Sequence, residues 1–87
     1  MGKKFVFTHF FDLKLYAHEI DVTTIVKKIQ ETIPAMRWSS ISIGWCGWAN
    51  ATDCWWVEAR VNRDERVEIV DFVKENGIEL YNPALIY

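Results

Sequence analysis

The stretch Ser40–Asn62, SISIGWCGWANATDCWWVEARVN, predicts two antiparallel strands joined by a turn. On either side of Gly47–Asp53, apolar residues recur at every second position, which is the pattern of a strand with one buried face. The predicted core face carries Ile41, Ile43, Trp45, Trp55, Val57, Ala59 and Val61. The opposite face carries Ser42, Gly44, Cys46, Trp48, Cys54, Trp56, Glu58, Arg60 and Asn62.

The segment before this hairpin is predicted to form a strand followed by a helix. Residues 3–17 alternate with the same period, and the length of the run favours a bulge or break between His9 and Asp12. The helix is predicted to begin with Asp21 as its N-cap and to end before Pro34, because a residue that precedes proline avoids the helical conformation. Its apolar stripe comprises Val22, Ile25, Val26, Ile29 and Ile33.

The segment after the hairpin predicts a second helix and a last strand. Asn62 and Glu65 have the spacing of a capping box, and the pair Asn76-Gly77 is typical of a helix end. Ile78–Tyr87 then predicts a strand. The apolar stripe of the second helix is expected to centre on Val67, Val70 and Val73, widened by Ile69 and Phe72.

The resulting element order is strand, helix, strand, strand, helix, strand. With right-handed crossovers, this order predicts an α+β, ferredoxin-like βαββαβ sandwich. Its four antiparallel strands would lie in the order 4-1-3-2, with both helices on one face, in a single domain of residues 1–87. On the first and last strands, the helices are expected to cover Phe5, Phe7, Phe11, Leu13, Leu15, Ile78 and Leu80.

The sheet face without helices is the predicted binding surface. A solvated sheet face is usually polar, whereas this one would display aromatic rings beside Val6 and Thr8. Clusters of exposed aromatic side chains mark interaction surfaces. The predicted partner- or ligand-binding residues are Phe10, Tyr16, Trp48, Trp56, Glu58, Arg60 and Tyr81.

The two cysteines suggest a register for the hairpin. If Cys46 and Cys54 lie opposite each other, Gly44 faces Trp56, and the indole can lie over the position where glycine has no side chain. The neighbouring opposed pairs would be Trp45 with Trp55 and Ser42 with Glu58.

The same cysteines leave three chemical states open. In a chain without a secretion signal, two cysteines are more often free thiols than a structural disulfide. A disulfide is one alternative, and a metal site formed by Cys46, Cys54 and His18 is another. Zinc usually takes four ligands, or three and a water molecule. We therefore predict reduced thiols, with no metal and no cofactor.

Composition narrows the class of protein. The net charge of −2 and the pI near 5.6 argue against nucleic acid or an anionic membrane as the partner. No run of about 18 apolar residues is present, so no membrane span is predicted, and the expected location is the cytoplasm. The chain shows no set of nucleophile, base and orienting group, so an enzyme is not predicted.

The sequence therefore favours a small non-catalytic domain. Its aromatic face would bind a second copy of the chain or another protein. The first alternative is a small-molecule site on the same face. The second is a binder of single-stranded nucleic acid. RNA-recognition domains share this element order and stack bases on aromatic side chains of their strands, a role that Phe10 and Trp56 would fill here.

Overall fold

The computed structural model describes residues 9–46 and 54–81, which form an α+β structure with two α-helices and a three-stranded antiparallel sheet. The strands lie in the order β1-β3-β2. The elements are β1 Phe11–His18, α1 Glu19–Thr32, a 3₁₀ helix Ala35–Ser40, β2 Ser42–Trp45, β3 Cys54–Val61 and α2 Arg63–Glu75.

The predicted four-stranded sheet of order 4-1-3-2, and with it the ferredoxin-like sandwich, is wrong. Residues 78–81 do not form a strand, and residues 82–87 of the predicted fourth strand lie outside the described part of the chain. The cause is local, since the Ile78 amide donates to the Val73 carbonyl at 3.1 Å and so continues the end of α2. Within residues 78–81, Tyr81 contacts the sheet, since its amide donates to the Tyr16 carbonyl at 2.8 Å.

Helix α1 begins three residues earlier than predicted. Its N-cap is His18, which makes no side-chain capping bond, and Asp21 lies inside the first turn, so the predicted Asp21 cap is wrong. There the Asp21 carboxylate still interacts favourably with the positive end of the helix dipole. The helix ends as predicted, with Ile33 as its C-cap directly before Pro34. The stripe is confirmed by burial of Val22, Ile25, Ile29 and Ile33.

Helix α2 begins and ends as its sequence predicts. The Asn62 side chain accepts from the Glu65 amide, and the Glu65 carboxylate accepts from the Asn62 amide, each at 2.9 Å. Such a cap stabilises a helix by about 1 kcal/mol. Gly77 follows the helix with φ of 64°, a left-handed conformation that glycine adopts without strain. The buried stripe centres on Ile69 and Val73, whereas Val67 is exposed.

One hydrophobic core lies between the sheet and the helices. Helix α1 packs against β1, β3 and α2. Apart from Phe11, which is exposed, the core-facing positions of β1 and β3 agree with the predicted alternation. The buried cluster comprises Leu13, Ala17, Val57, Ala59 and Val61 from the sheet and Val22, Ile25, Ile29, Ile33, Ile69 and Val73 from the segments around it.

The helices do not cover strand β2, although the sequence predicted that they would. Ile43 and Trp45 face the same side as the core, yet each is 54% exposed. The reason is the strand order, since β2 is the strand farthest from β1 and α1 packs over β1 and β3. Phe11 and Leu80 are also exposed, contrary to prediction, while Phe5 and Phe7 lie outside the described residues. No helix within residues 9–46 and 54–81 has the length and apolar character needed to cross a bilayer.

Candidate functional site

The register of the hairpin agrees with the pairing inferred from the cysteines. Gly44 lies opposite Trp56, and Trp56 in turn lies opposite Tyr16 of β1. We call Tyr16, Trp56 and Gly44 the aromatic row. The next position along the sheet brings His18 opposite Cys54, and the Cys46 amide donates to the Cys54 carbonyl at 3.0 Å. The predicted pairs Trp45–Trp55 and Ser42–Glu58 are also confirmed.

The aromatic row is held in place by glycine on one strand and lysine on another. A Cβ atom at Gly44 would lie 2.6 Å from Cε2 of Trp56, so the indole occupies the space of the missing side chain. The Lys14 ammonium lies 4.5 Å from the Trp56 ring centroid and 5.5 Å from that of Tyr16. A cation this close to an exposed ring contributes about 0.5–1 kcal/mol. The Trp56 ring is therefore positioned before any partner arrives.

Tyr81 extends this aromatic surface beyond the edge of β1. Its hydroxyl lies 2.7 Å from Nε2 of His18, and the two rings meet edge to face with centroids 5.3 Å apart. The backbone bond from Tyr81 to Tyr16 fixes the segment in the same place. Three rings, those of Tyr81, Tyr16 and Trp56, therefore lie across neighbouring positions of the face opposite the helices, and each is half-buried.

Charged side chains of both signs occupy the next positions along the same face. Lys14 lies opposite Glu58, and Asp12 lies opposite Arg60 with 3.9 Å between their charged atoms. The two positive and two negative groups therefore alternate across β1 and β3. Because Asp12 and Arg60 are well exposed, their ion pair contributes little to stability.

The structure brings most of the predicted binding residues together. Tyr16, Trp56 and Tyr81 are neighbours, and Glu58 and Arg60 continue along β3. Phe10 lies beyond the opposite end of β1, where the Arg37 guanidinium is 4.8 Å from its ring centroid. Trp48 lies outside the described residues.

The alternation missed a second set of exposed aromatic and aliphatic side chains, on the helix side of the sheet. It comprises Ile43 and Trp45, and a further exposed side chain is that of Trp38, which the periodicity placed on neither face. Trp38 lies in the 3₁₀ helix, is 43% exposed and donates its indole N–H to the Ile33 carbonyl at 3.3 Å. In the sequence, the position of Trp38 between Pro34 and the hairpin gave no indication of which face its side chain would occupy.

The two thiols differ in their surroundings. Both are free, their sulfur atoms lie 2.6 Å apart, and Cys54 is fully buried whereas Cys46 is half-buried. Burial, followed by the hydrogen bond with Cys46, raises the pKa of the Cys54 thiol to about 12. Cys54 is therefore protonated at neutral pH and is a poor nucleophile.

The residues of the alternative metal site do not form a ligand cluster. Among the described residues, no group of three or more His, Cys, Asp or Glu side chains could hold a metal ion. His18 lies beside Cys54 in the register, but its Nε2 atom is engaged with the Tyr81 hydroxyl.

A polar cluster that the sequence did not reveal lies at the far end of β3. Arg37 donates to both carboxylate oxygens of Glu65, at 2.9 and 2.5 Å, and also to the Arg60 carbonyl at 3.1 Å. The hydrogen bond from Arg37 is the main reason that the pKa of Glu65 lies below its ordinary value. This contact links the 3₁₀ helix to the N-terminus of α2, so we assign it a structural role.

Comparisons with protein-family models, with curated proteins and with solved structures found no match for this chain.

Proposed function

We propose that this chain is a small non-catalytic interaction domain that pairs with a second copy of itself through the aromatic face. The observation that carries the proposal is the group formed by Tyr81, Tyr16 and Trp56 on the side of the sheet opposite the helices. Half-buried rings on that side gain further burial only if another surface covers them.

Preorganisation supports a binding role for this face. Because Trp56 rests against the Gly44 backbone beside the Lys14 ammonium, little side-chain freedom is lost when a partner covers it. Association otherwise costs about 0.5–1.5 kcal/mol for each flexible side chain that is immobilised. Aromatic rings fixed in this way are the residues that most often dominate the free energy of binding.

The charge pattern favours a second copy over a strongly charged partner. Lys14 and Arg60 balance Asp12 and Glu58, so this part of the face has no net charge and is complementary to itself. A specific interface buries roughly 800 Å² on each partner. Aromatic side chains contribute about 150–250 Å² each when buried. The three rings are already half-buried and would supply only part of that area, so the four charged side chains around them would supply the rest.

The second candidate is a site for a planar anionic small molecule on the same face. The observation that favours it is the Lys14 ammonium beside the Trp56 ring, which would offer a stacking surface together with a positive charge. For either candidate we propose a cytoplasmic location, because both cysteines are free thiols, the state that a reducing compartment maintains.

Sedimentation equilibrium over a range of protein concentrations tests the self-association. We expect a reversible dimer, and we expect Trp56→Ser to raise its dissociation constant about tenfold or more, as for a central interface residue. Trp45→Ser is the matched control, because Trp45 is an exposed tryptophan on the other side of the same hairpin. Circular dichroism would verify that both variants fold.

Two results would overturn the self-association. One is a wild-type chain that stays monomeric at every concentration. The other is an equal loss of association in both variants, which would place the interface elsewhere. In the monomeric case, quenching of tryptophan fluorescence by planar anions such as a nucleoside monophosphate would test the small-molecule alternative, with Lys14→Met as the variant expected to lose the response.

A further inference from the structure

Cys46 and Cys54 lie opposite each other where strands β2 and β3 lead into residues 47–53 of the hairpin. The amide of Cys46 donates to the carbonyl of Cys54 at 3.0 Å, so the two backbones are in antiparallel register. In such a pair the Cα atoms are about 5.5 Å apart. This separation is within the range of about 4.4–6.8 Å that a disulfide bond spans. The backbone therefore needs no rearrangement for the sulfurs to bond.

The side chains of both cysteines also point toward each other. Both lie on the face opposite the helices, and their sulfur atoms are 2.6 Å apart. Cys46 is half-buried and Cys54 is fully buried, so a reagent in solution can reach only the first sulfur readily. The pair has the arrangement of one accessible thiol with a second, protected thiol beside it.

We propose that Cys46 and Cys54 are a thiol–disulfide exchange site that reacts with small disulfides such as oxidised glutathione. The site is independent of the proposed self-association, and neither requires the other. Cys46 is the sulfur that exchanges with the external disulfide, and Cys54 is the sulfur that completes the internal bond.

The exchange proceeds in two balanced steps. The Cys46 thiolate attacks one sulfur of the external disulfide, forms a mixed disulfide and releases the first small thiolate, which takes up the proton lost by Cys46. Cys54 then gives up its proton and attacks the Cys46 sulfur, which releases the second small thiol. The two protein thiols lose two electrons and two protons in total, and the external disulfide is reduced to two thiols.

The roles of the two sulfurs cannot be exchanged. Burial raises the pKa of Cys54 to about 12, so it supplies almost no thiolate to an external reagent. The disadvantage is smaller in the second step, because Cys54 then attacks a sulfur that is already beside it. Proximity of this kind gives a large effective concentration. Oxidation would close a covalent ring over residues 46–54, which includes the segment with Trp48.

The test is to equilibrate the reduced chain with oxidised glutathione, quench the exchange with acid, alkylate the remaining thiols in denaturant so that Cys54 is accessible, and measure the intact mass. We expect a monomer that has lost two hydrogens and accepts no alkylating agent. Excess reduced glutathione should restore both thiols. In Cys54→Ala, we expect a stable adduct of one glutathione on Cys46, whereas Cys46→Ala should carry no glutathione.

Three results would overturn the proposal. Both thiols could still be alkylated after equilibration, the oxidised product could be a disulfide-linked dimer on a non-reducing gel, or Cys46→Ala could react as fast as Cys54→Ala. If Cys54→Ala fails to fold, the wild-type mass and the behaviour of Cys46→Ala still decide the question. Repeating the measurement on Trp56→Ser separates the exchange site from self-association, because that variant should form the internal disulfide even as a monomer.

Discussion

The two ends of strand β3 are held by different chemistry. At the Val61 end, Arg37 links the 3₁₀ helix to Glu65 and to the backbone of Arg60. At the Cys54 end, the contacts are a buried thiol beside its partner thiol and an indole that lies on Gly44. Charge and directed hydrogen bonds fix the first end, which we call the charged end. At the second, which we call the neutral end, uncharged thiols and an indole pack closely, with the Lys14 ammonium over the indole.

This difference indicates how the strand serves both stability and binding. The charged cluster lies where β3 leads into α2, so it fixes the position of that helix over the core. The neutral end carries the rings and thiols that are open to chemistry or to a partner. If this division is correct, substitutions at the two ends should lower the free energy of unfolding by different amounts and with different pH dependence.

The largest effect is expected at the charged end. Arg37→Met removes both hydrogen bonds to Glu65 and leaves its largely buried carboxylate without its cation. We expect a loss of about 2 kcal/mol in the free energy of unfolding, the typical cost of an unpaired charged group that is partly buried. Urea denaturation at pH 7 would measure it.

Lys28→Met is the matched control for Arg37→Met. Lys28 also pairs with a glutamate of α2, but its partner Glu68 is more than half exposed. An exposed ion pair of this kind contributes about 0–1 kcal/mol. An equal loss in the two variants would contradict the structural role that we assign to Arg37.

The sequence predicted these two ends unequally. The capping box of Asn62 and Glu65 is a local pattern with a known spacing, and the opposition of Gly44 and Trp56 follows from strand parity once the cysteines are paired. The bond from Arg37 to Glu65 joins residues that are far apart in the chain, and no local pattern marks such a contact.

The same distinction explains the two errors on the sheet. Parity correctly placed Ile43 and Trp45 on the core side, but whether a helix reaches that side depends on tertiary packing. The fourth strand was predicted over Ile78–Tyr87, yet the amide of Ile78 donates to the Val73 carbonyl at the end of α2. Periodicity therefore identifies the sheet face on which a residue lies. Whether a helix covers that face, and whether a segment pairs with the sheet, depends on contacts that only the folded chain reveals.

A second prediction concerns the stability of the fold at acidic pH. Because the folded chain lowers the pKa of Glu65, mainly through the bond from Arg37, the ionised carboxylate stabilises the fold. That contribution is present above the unfolded pKa of about 4.3 and is lost as pH falls through the lower folded value. The gap of about 2 kcal/mol between the wild type and Arg37→Met should therefore shrink as pH falls below about 4.

Urea denaturation midpoints of the two proteins from pH 7 down to pH 3 would measure this convergence. Glu68→Gln provides the comparison with an exposed carboxylate, and its gap from the wild type should stay small throughout. A gap for Arg37→Met that is unchanged at pH 3 would show that its loss comes from packing rather than from the charge of Glu65.

A third prediction concerns packing at the neutral end. Gly44→Val would place side-chain atoms where the Trp56 indole now lies, so the ring must move. We expect the free energy of unfolding to fall by about 1–2 kcal/mol, because the indole lies on the open face and can rotate toward solvent at moderate cost. Ser42→Val, on the same face of β2, should change stability by less than about 0.5 kcal/mol.

A double variant separates steric conflict from the backbone effect of losing glycine. If the indole causes the loss, Gly44→Val should cost less when Trp56 is already alanine, and the coupling measured by denaturation should be about 1 kcal/mol. Additive losses would show that the indole and Gly44 do not contact each other in solution.

The smallest effect is expected at alkaline pH, at the same end of β3. The folded chain raises the pKa of Cys54 from 9.0 to about 12, since burial favours its neutral thiol. The stabilisation is fully present below the unfolded value and is lost as pH rises toward the folded one. At pH 10, the unfolded chain is mostly thiolate, and we expect a loss of about 1 kcal/mol relative to pH 8.

Lysine and tyrosine side chains also lose protons in this range, so the informative quantity is the difference between the wild type and Cys54→Ala, both under a thiol-free reductant. Alanine at this position lowers stability by an amount that does not depend on pH, so the two curves should approach each other as pH rises from 8 to 10. If the stability of Cys54→Ala approaches that of the wild type at alkaline pH, and that of Arg37→Met does so at acidic pH, the two ends of one strand lose their stabilising contacts at opposite extremes of pH. Parallel curves for Cys54→Ala would instead mean that the thiol reaches water in solution, which would contradict the role of Cys54 as the protected sulfur of the exchange site.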